Sequence, residues 1–296
     1  MNEIRGSLLK GLYNFFPFDL RGDLKAANAP TKKGLISCLV CSANRPEALS
    51  MLLNDLDRQD IDKGLFEVVV VNDGANQETG RTIGRFRATL PIVYIANNPQ
   101  HRILGRLRNQ LIENSCGEFL LFLDDDTRIL DSHFLSAALG LLKQTEAEVV
   151  IPRGQPLYGL VRQRYCYLDF YSFANRCCLY RRNLVESLRG FNDRVATYED
   201  IELSIRVTLK GAKILATERL QYYHPPLYFF SLDKPLCIGQ SIFELRKRYP
   251  LAVWLALWLN ALRFLPLCLF PTTKNLQWFK ISLGVLLGPF ARKAYY

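Results

Sequence analysis

Three consecutive carboxylates, Asp124, Asp125 and Asp126, follow directly on the apolar run Phe119-Leu120-Leu121-Phe122-Leu123. A buried strand of that composition delivers all three to a solvent-facing end, where like charges raise one another's pKa unless a cation neutralises them. Hard oxygen ligands suit Mg²⁺ or Mn²⁺, and such ions take only one or two protein carboxylates, completing their shells with phosphate oxygens and water. The chemistry implied is metal-assisted handling of a diphosphate. The structural alternative is an acidic turn that caps a helix from Ser132 and pairs with Arg128. Adjacent carboxylates recur at Glu199 and Asp200. Successive helical residues point about 100° apart, so only one of these two can face a reacting group. His224 follows Tyr222-Tyr223 and precedes Pro225; a lone histidine of this kind is ordinarily structural.

Alternating elements must position these groups. Leu35–Cys41, Val68–Val71, Ile92–Ile95, Phe119–Leu123 and Val149–Ile151 read as strands. Between them Pro46–Asp57, Thr79–Arg87, Gly105–Asn114 and Ser132–Gln144 read as helices, the first with Pro at its opening position and the last starting at a Ser cap. This alternation predicts an α/β fold with a mainly parallel central sheet flanked by helices, whose ligands sit beyond the carboxyl ends of the strands. Ser42-Ala43-Asn44-Arg45, Asn72-Asp73-Gly74 and the three aspartates all fall at such ends. Asp73 reads as a turn residue aiming its carboxylate outward. Neither G-x-G-x-x-G nor the P-loop pattern is present to cradle phosphates. Cys38 and Cys41 form a C-x-x-C inside an apolar strand and read as buried thiols, and the eight cysteines agree with a reducing compartment.

The 296 residues are 49% hydrophobic and 22% charged, which excludes disorder, and the net charge is +10. That excess sits at the ends. Residues 1–33 carry 6 basic and 3 acidic groups, 34–243 carry 24 of each, and 244–296 carry 8 and 1. Leu251–Phe270 holds 17 apolar residues of 20, and a second apolar stretch runs into Arg292, Lys293, Tyr295 and Tyr296. Cations beside apolar, Trp-containing segments resemble what sits at an anionic bilayer surface. A membrane-surface or re-entrant helical hairpin, a bilayer span, and buried helices or an oligomer interface all remain open for this region. Residues 1–33 read as a basic amphipathic segment without a signal-peptide core, 34–232 as the catalytic domain, and 233–296 as a basic, apolar, helical and membrane-associated region. A cytoplasmic location, at the inner face of a membrane, is expected. No nucleic-acid module is recognisable.

The chain resembles the family 2 glycosyltransferases of the GT-A fold. The resemblance rests on Val68-Val69-Val70-Val71-Asn72-Asp73-Gly74, Arg108-Asn109, Gly117 to Asp126, Gly190-Phe191-Asn192-Asp193, and Tyr198-Glu199-Asp200-Ile201-Glu202 with Arg206 and Gly211. It spans roughly residues 34–232 and implies transfer of a sugar from a nucleotide-diphospho-sugar to a hydroxyl of a glycan or lipid-linked acceptor. Inversion at the anomeric carbon and a bound Mn²⁺ or Mg²⁺ are implied with it.

By this resemblance Asp73 holds the nucleotide base, Asp124 lies near the ribose with Asp125 on the same donor side, and Asp126 and His224 ligate the metal. Ser42, Asn44, Arg45 and Arg108 fall on the nucleotide side. Asp200 is the general base and Glu199 orients it. Glu202 and Arg206 are spaced for a helix-face ion pair. Arg176, Arg181 and Arg182 face either phosphates of donor or acceptor or, by default, solvent. Two departures stand out: the family's paired glycine before Phe is here Arg189-Gly190, and the Q-x-x-R-W pattern of processive synthases is missing, which favours single addition. The competing functions are a nucleotidyl or phosphoryl transferase and a non-catalytic membrane-bound scaffold.

Overall fold

The computed structural model describes residues 3–25, 30–74, 77–97, 101–156, 173, 176–225 and 228–292. Along the chain run α1 (Glu3–Phe15), β1 (Lys32–Ser42), α2 (Pro46–Asp57), β2 (Phe66–Asn72), α3 (Gln77–Phe86), β3 (Ile92–Ala96), α4 (Leu104–Glu113), β4 (Gly117–Asp124), α5 (Phe134–Gln144) and β5 (Val149–Pro156). They are followed by β6 (Cys177–Arg181), α6 (Arg182–Ser187), α7 (Glu199–Lys210), β7 (Ile214–His224), α8 (Asp233–Glu244), α9 (Leu251–Leu262) and α10 (Thr273–Leu287).

The strands form one sheet in the order β3-β2-β1-β4-β6-β5-β7. β1 pairs in parallel with β2 and β4, and the register sets Ser42 beside Asn72 and Cys41 beside Asp124. Three polar clusters therefore end at one edge, as expected from sequence. Valines at successive β2 positions pack on opposite faces: Val68 and Val70 meet Leu49, Leu52 and Leu56 of α2, while Val69 and Val71 share a cluster with Leu107 and Leu111 of α4 and Leu203 of α7. A strand covered by helices on both faces reads as an unbroken apolar run, which is why these strands were legible.

β6 lies antiparallel between β4 and β5, and β7 pairs in parallel with β5. Neither was expected. β6 is five residues hemmed by arginines, and β7 carries Thr217-Glu218-Arg219 along an exposed sheet edge, so neither shows a continuous apolar signal. Arg128 and Tyr223 form an isolated bridge with N···O distances of 2.8 and 2.9 Å, which draws the end of β7 and its His224 to the acidic turn after β4.

The expected cap of α5 is corrected. α5 starts at Phe134, the Ser132 carbonyl accepts from the Asp60 N–H at 2.7 Å, and the Asp131 carboxylate accepts from the His133 N–H at 2.9 Å. Arg128 pairs with Asp55 of α2 at 2.6 and 2.9 Å and leaves the three aspartates alone, so the helix-capping alternative fails. The apolar run Leu251–Phe270 is not one helix: α9 ends at Leu262 and a 3₁₀ turn follows over Leu265–Leu269. α1, α7 and α9 enclose Leu9, Ile205, Tyr249, Val253 and Leu257. Lys293, Tyr295 and Tyr296 lie outside the described residues. The seven described cysteines are free thiols, and burial raises Cys38 and Cys41 out of the range where a thiolate forms readily.

Candidate active site

Asp124, at the end of β4, and Asp126, two residues on, converge with His224 at the end of β7, each offering a ligand atom within 4.8 Å of the others. His224 Nε2 stands 2.8 Å from Asp126 Oδ1 and 3.4 Å from Asp124 Oδ2, while Nδ1 is 2.6 Å from the Pro225 carbonyl. A carbonyl only accepts, so Nδ1 carries a proton and Nε2 of the neutral ring turns its lone pair toward two carboxylates. Only a positive charge at this point relieves that arrangement. A proton on Nε2 would do so, and a divalent cation fits the same three ligands with mixed imidazole and carboxylate donors. Burial alone would lower the His224 pKa, but the two carboxylates outweigh it and the net shift is upward. Burial raises Asp126 and Asp124 in turn, yet His224 brings Asp126 down to about 2, and His224 with Arg176 and Arg108 holds Asp124 well below the carboxylate range. Asp124, placed on the ribose side from sequence, is thus a third candidate ligand.

The first loop is tied to the same turn. Ser42 Oγ donates to Asp125 Oδ2 at 3.0 Å, and Arg45 donates to Asp125 Oδ1 at 2.8 Å and to Asp126 Oδ2 at 2.6 Å. Asp125 is buried, and that burial pushes its carboxyl up to about 7 against the pull of Arg45. It braces the loop from inside, while Asn44 and Arg45 keep exposed surface. Asn44 has φ 55°, a left-handed conformation that Asn tolerates, and its side chain lies where a Cβ on Gly74 would stand, 2.5 Å from Oδ1. Gly74 is therefore needed for this approach.

Asp73 departs from its expected outward aim. It is buried and accepts from the backbone N–H groups of His101 and Arg102, both at 2.8 Å. The positive φ of Arg102, 54°, turns that N–H inward. Arg108, expected on the nucleotide side, turns to two carboxylates. It is buried beneath the site, donating to Glu199 at 2.7 Å and to Asp124 at 3.3 Å, with its guanidinium 5.6 and 5.7 Å from the Phe122 and Phe191 ring centroids. Glu199 is buried against it, and burial pushes that carboxyl up to about 7 while Arg108 opposes the shift.

Asp200 is left half-exposed at the first turn of α7, its Oδ1 accepting from the Ile201 N–H at 2.8 Å. Among the described residues it is the first-turn carboxylate of α7 without an ion pair, since Glu199 has Arg108 and Glu202 has Arg206. The preceding Tyr198 is held at φ 73°, and strain of this kind gathers at functional sites. The Glu202–Arg206 pair expected from spacing forms, but fully buried, with Tyr249 donating to Glu202 at 2.9 Å.

Sequence reasoning missed two cations. Arg176, expected in solvent, donates to Asp124 Oδ2 at 2.9 Å. Lys234, in the first turn of α8, has a pKa lowered by burial first and by Arg176 next, with Asp124, Asp126 and Glu199 opposing. Nothing in the linear pattern marks either residue. Arg181 and Arg182 are not solvated either: Arg182 donates to the Gly117 carbonyl at 2.6 Å, and Arg181 to that of Leu142 at 2.7 Å, so both serve the fold.

With this geometry in hand, comparisons with known proteins are specific. The model of glycosyl transferase family 2 matches residues 37–189, just over half of the chain. Over 123 residues the chain is 30% identical to the poly(ribitol-phosphate) β-N-acetylglucosaminyltransferase TarS of Staphylococcus aureus, covering 42% of this chain and 21% of TarS. It therefore spans about a fifth of that relative's length. The succinoglycan biosynthesis protein ExoM of Rhizobium meliloti is 27% identical over 127 residues, 43% of this chain and 40% of ExoM. Among solved structures, TarS 1–349 in complex with UDP-GlcNAc superposes with a TM-score of 0.59 at 19% identity, covering 86% of this chain and 81% of that one. The mannosyltransferase PcManGT of Pyrobaculum calidifontis, in complex with GDP-Man and Mn²⁺, gives 0.63 at 15% identity, covering 97% and 94%. The fold is that of the GT-A glycosyltransferases.

Proposed function

The chain belongs to glycosyl transferase family 2, and on that basis we propose that it moves a sugar from a nucleotide-diphospho-sugar to a hydroxyl of a glycan or lipid-linked acceptor, with inversion at the anomeric carbon. The observation that carries this reading is the convergence of Asp124, Asp126 and His224 beyond the end of β4, to which Arg108 ties the first turn of α7, the turn that includes Asp200. These three residues would hold Mn²⁺ or Mg²⁺, which when bound neutralises charge on a departing diphosphate as a Lewis acid. Ser42, Asn44, Arg45, Asp73 and Asp125 frame the donor, Arg45 with an exposed guanidinium and the others by shaping the loops around it. Asp200 takes the proton of the acceptor hydroxyl as its oxygen attacks the anomeric carbon. Arg108 and Glu199 act one layer below, fixing the first turn of α7 to the end of β4.

The relatives support a nucleotide-sugar donor, since TarS was solved with UDP-GlcNAc and PcManGT with GDP-Man and Mn²⁺. Residues 34–232 carry the chemistry on this reading, and residues 233–296 keep it at the cytoplasmic face of a membrane. The test is a thermal-shift panel of nucleotide-sugars with Mn²⁺. A donor that raises the melting temperature of the wild type only when Mn²⁺ is present supports the reading, and a panel with no metal-dependent shift contradicts it.

A further inference from the structure

Leu251, Leu255 and Leu259 recur every four residues along α9 and are all exposed, Leu251 by 68%. The opposite stripe, Val253, Leu257 and Ala261, is buried against the rest of the chain. α9 contains no charge at all, so both of its faces are apolar and only one is covered. Beyond the helix Leu269 and Phe270 are exposed as well, by 74% and 67%.

Several occupants of this face are excluded by quantities already given. The described residues leave it largely uncovered, since only 22% of the most apolar stretch within Leu251–Leu269 is buried. By length and composition Leu251–Leu269 reaches what a bilayer span needs, but only the 12 residues of α9, about 18 Å of rise against a hydrocarbon core of about 30 Å, are regular α-helix. The helix then stops at Arg263, whose guanidinium folds back on the Asn260 carbonyl at 2.7 Å, and Pro266 lies in the following 3₁₀ turn. A second copy would bring together two surfaces from a region, residues 244–296, of 8 basic and 1 acidic residues. Arg246 and Lys247, the latter paired with Glu244, are exposed just before α9, and Lys274 just after the 3₁₀ turn. Like charges this close oppose self-association and favour a negative partner.

We infer that α9 lies within the headgroup layer of an anionic phospholipid bilayer, with its Leu251-Leu255-Leu259 stripe inserted and Arg246, Lys247 and Lys274 against the lipid phosphates, without crossing the membrane. This rests on the reading that the enzyme works at a membrane surface and assigns the surface, the lipid charge and the depth. Trp254 and Trp258, stacked with centroids 5.9 Å apart beside the stripe, suit that layer, where indole rings concentrate. An apolar stripe alone binds weakly and reversibly, so the cations and leucines act as two signals that must coincide.

The experiment is flotation of the full chain with vesicles of phosphatidylcholine, with or without phosphatidylglycerol. Wild type is expected to float with the anionic vesicles only, to be released by high salt or alkaline carbonate, and to lose binding in the Leu255→Glu/Leu259→Glu variant. Arg246→Gln/Lys247→Gln is expected to weaken binding about 25-fold, since each surface cation contributes about fivefold. Equal flotation with neutral vesicles, retention through carbonate, or a dimer in sedimentation velocity that Leu255→Glu/Leu259→Glu dissolves would each overturn the inference. The thermal shift with nucleotide and Mn²⁺ is measured on the same variants and is expected to stay at the wild-type value. A wild type that binds donor but ignores anionic vesicles sinks the lipid inference alone, whereas one that floats but binds no donor sinks the catalytic reading alone.

Discussion

Arg108 donates its Nε–H to Glu199 Oε1 across 2.7 Å, with both side chains almost wholly buried. Because the same guanidinium also reaches Asp124, one cation couples the acidic end of β4 to the helix that carries Asp200. Removing one partner of a buried pair leaves an uncompensated charge. Arg108→Met is therefore expected to lower the unfolding free energy by about 3–5 kcal/mol. In the double variant Arg108→Met/Glu199→Leu most of that loss returns, because both charges leave together. Urea unfolding of the two single variants and the double variant measures this coupling.

Arg206 ties further segments to α7 in a similar way. It bonds Glu202 and the carbonyls of Leu20, Leu188 and Gly190, so α7, the N-terminal segment and the 188–190 turn share one guanidinium. Tyr249, just ahead of α9, completes the set through Glu202. Tyr249→Phe removes one hydrogen bond to a charged, buried acceptor and should cost about 1.5–3 kcal/mol by chemical denaturation. A change below a few tenths would show that the hydroxyl is not engaged.

The turn that Arg206 grips contains the departure from the family's paired glycine. Arg189 is held at φ 49° and Gly190 at φ 58°, so the backbone keeps the left-handed shape that two glycines would adopt. A non-glycine residue in that region costs about 1–2 kcal/mol, partly offset by the greater freedom of glycine in the unfolded chain. Arg189→Gly is accordingly expected to raise the melting temperature slightly. A fall would mean that the Arg189 side chain makes contacts outweighing the strain.

Metal affinity should depend on pH through His224. Its pKa is raised, so in the metal-free protein the protonated ring stabilises the fold at low pH, and that contribution fades as pH climbs through the raised value. A cation must displace this proton. Mn²⁺ binding is therefore expected to strengthen with pH until the ring is neutral in the free protein, and then to level off. Titration calorimetry in two buffers of different ionisation enthalpy would detect the released proton, and a pH-independent affinity would exclude His224 as a ligand.

Much of the fold was legible because β1, β2 and β4 are covered on both faces and read as unbroken apolar runs. Pro46–Asp57 was bounded correctly because Pro at the first helical position marks its start. β6 and β7 were not legible, since one is short and arginine-flanked and the other is a half-exposed edge. For the site, residue types and strand ends pointed to Asp124 and Asp126, while family resemblance chose Asp200 over Glu199 and added His224. They did not reveal which charges are internal. Whether Arg108 meets solvent or Glu199, and whether Arg176 meets solvent or Asp124, depends on contacts 91 and 52 residues apart in the chain. Asp73 faced inward for a related reason: two backbone N–H groups from a loop 28 and 29 residues away met it first.

The central claim is that Asp200 removes the acceptor's proton while Asp124, Asp126 and His224 serve the donor. It is tested most directly by measuring transfer and nucleotide-sugar binding side by side in wild type and Asp200→Asn, in the presence of Mn²⁺. Transfer is expected to fall by roughly 10²–10⁴-fold, as for loss of a general base, while the Mn²⁺-dependent melting shift with donor stays unchanged. Wild-type transfer by Asp200→Asn would contradict it.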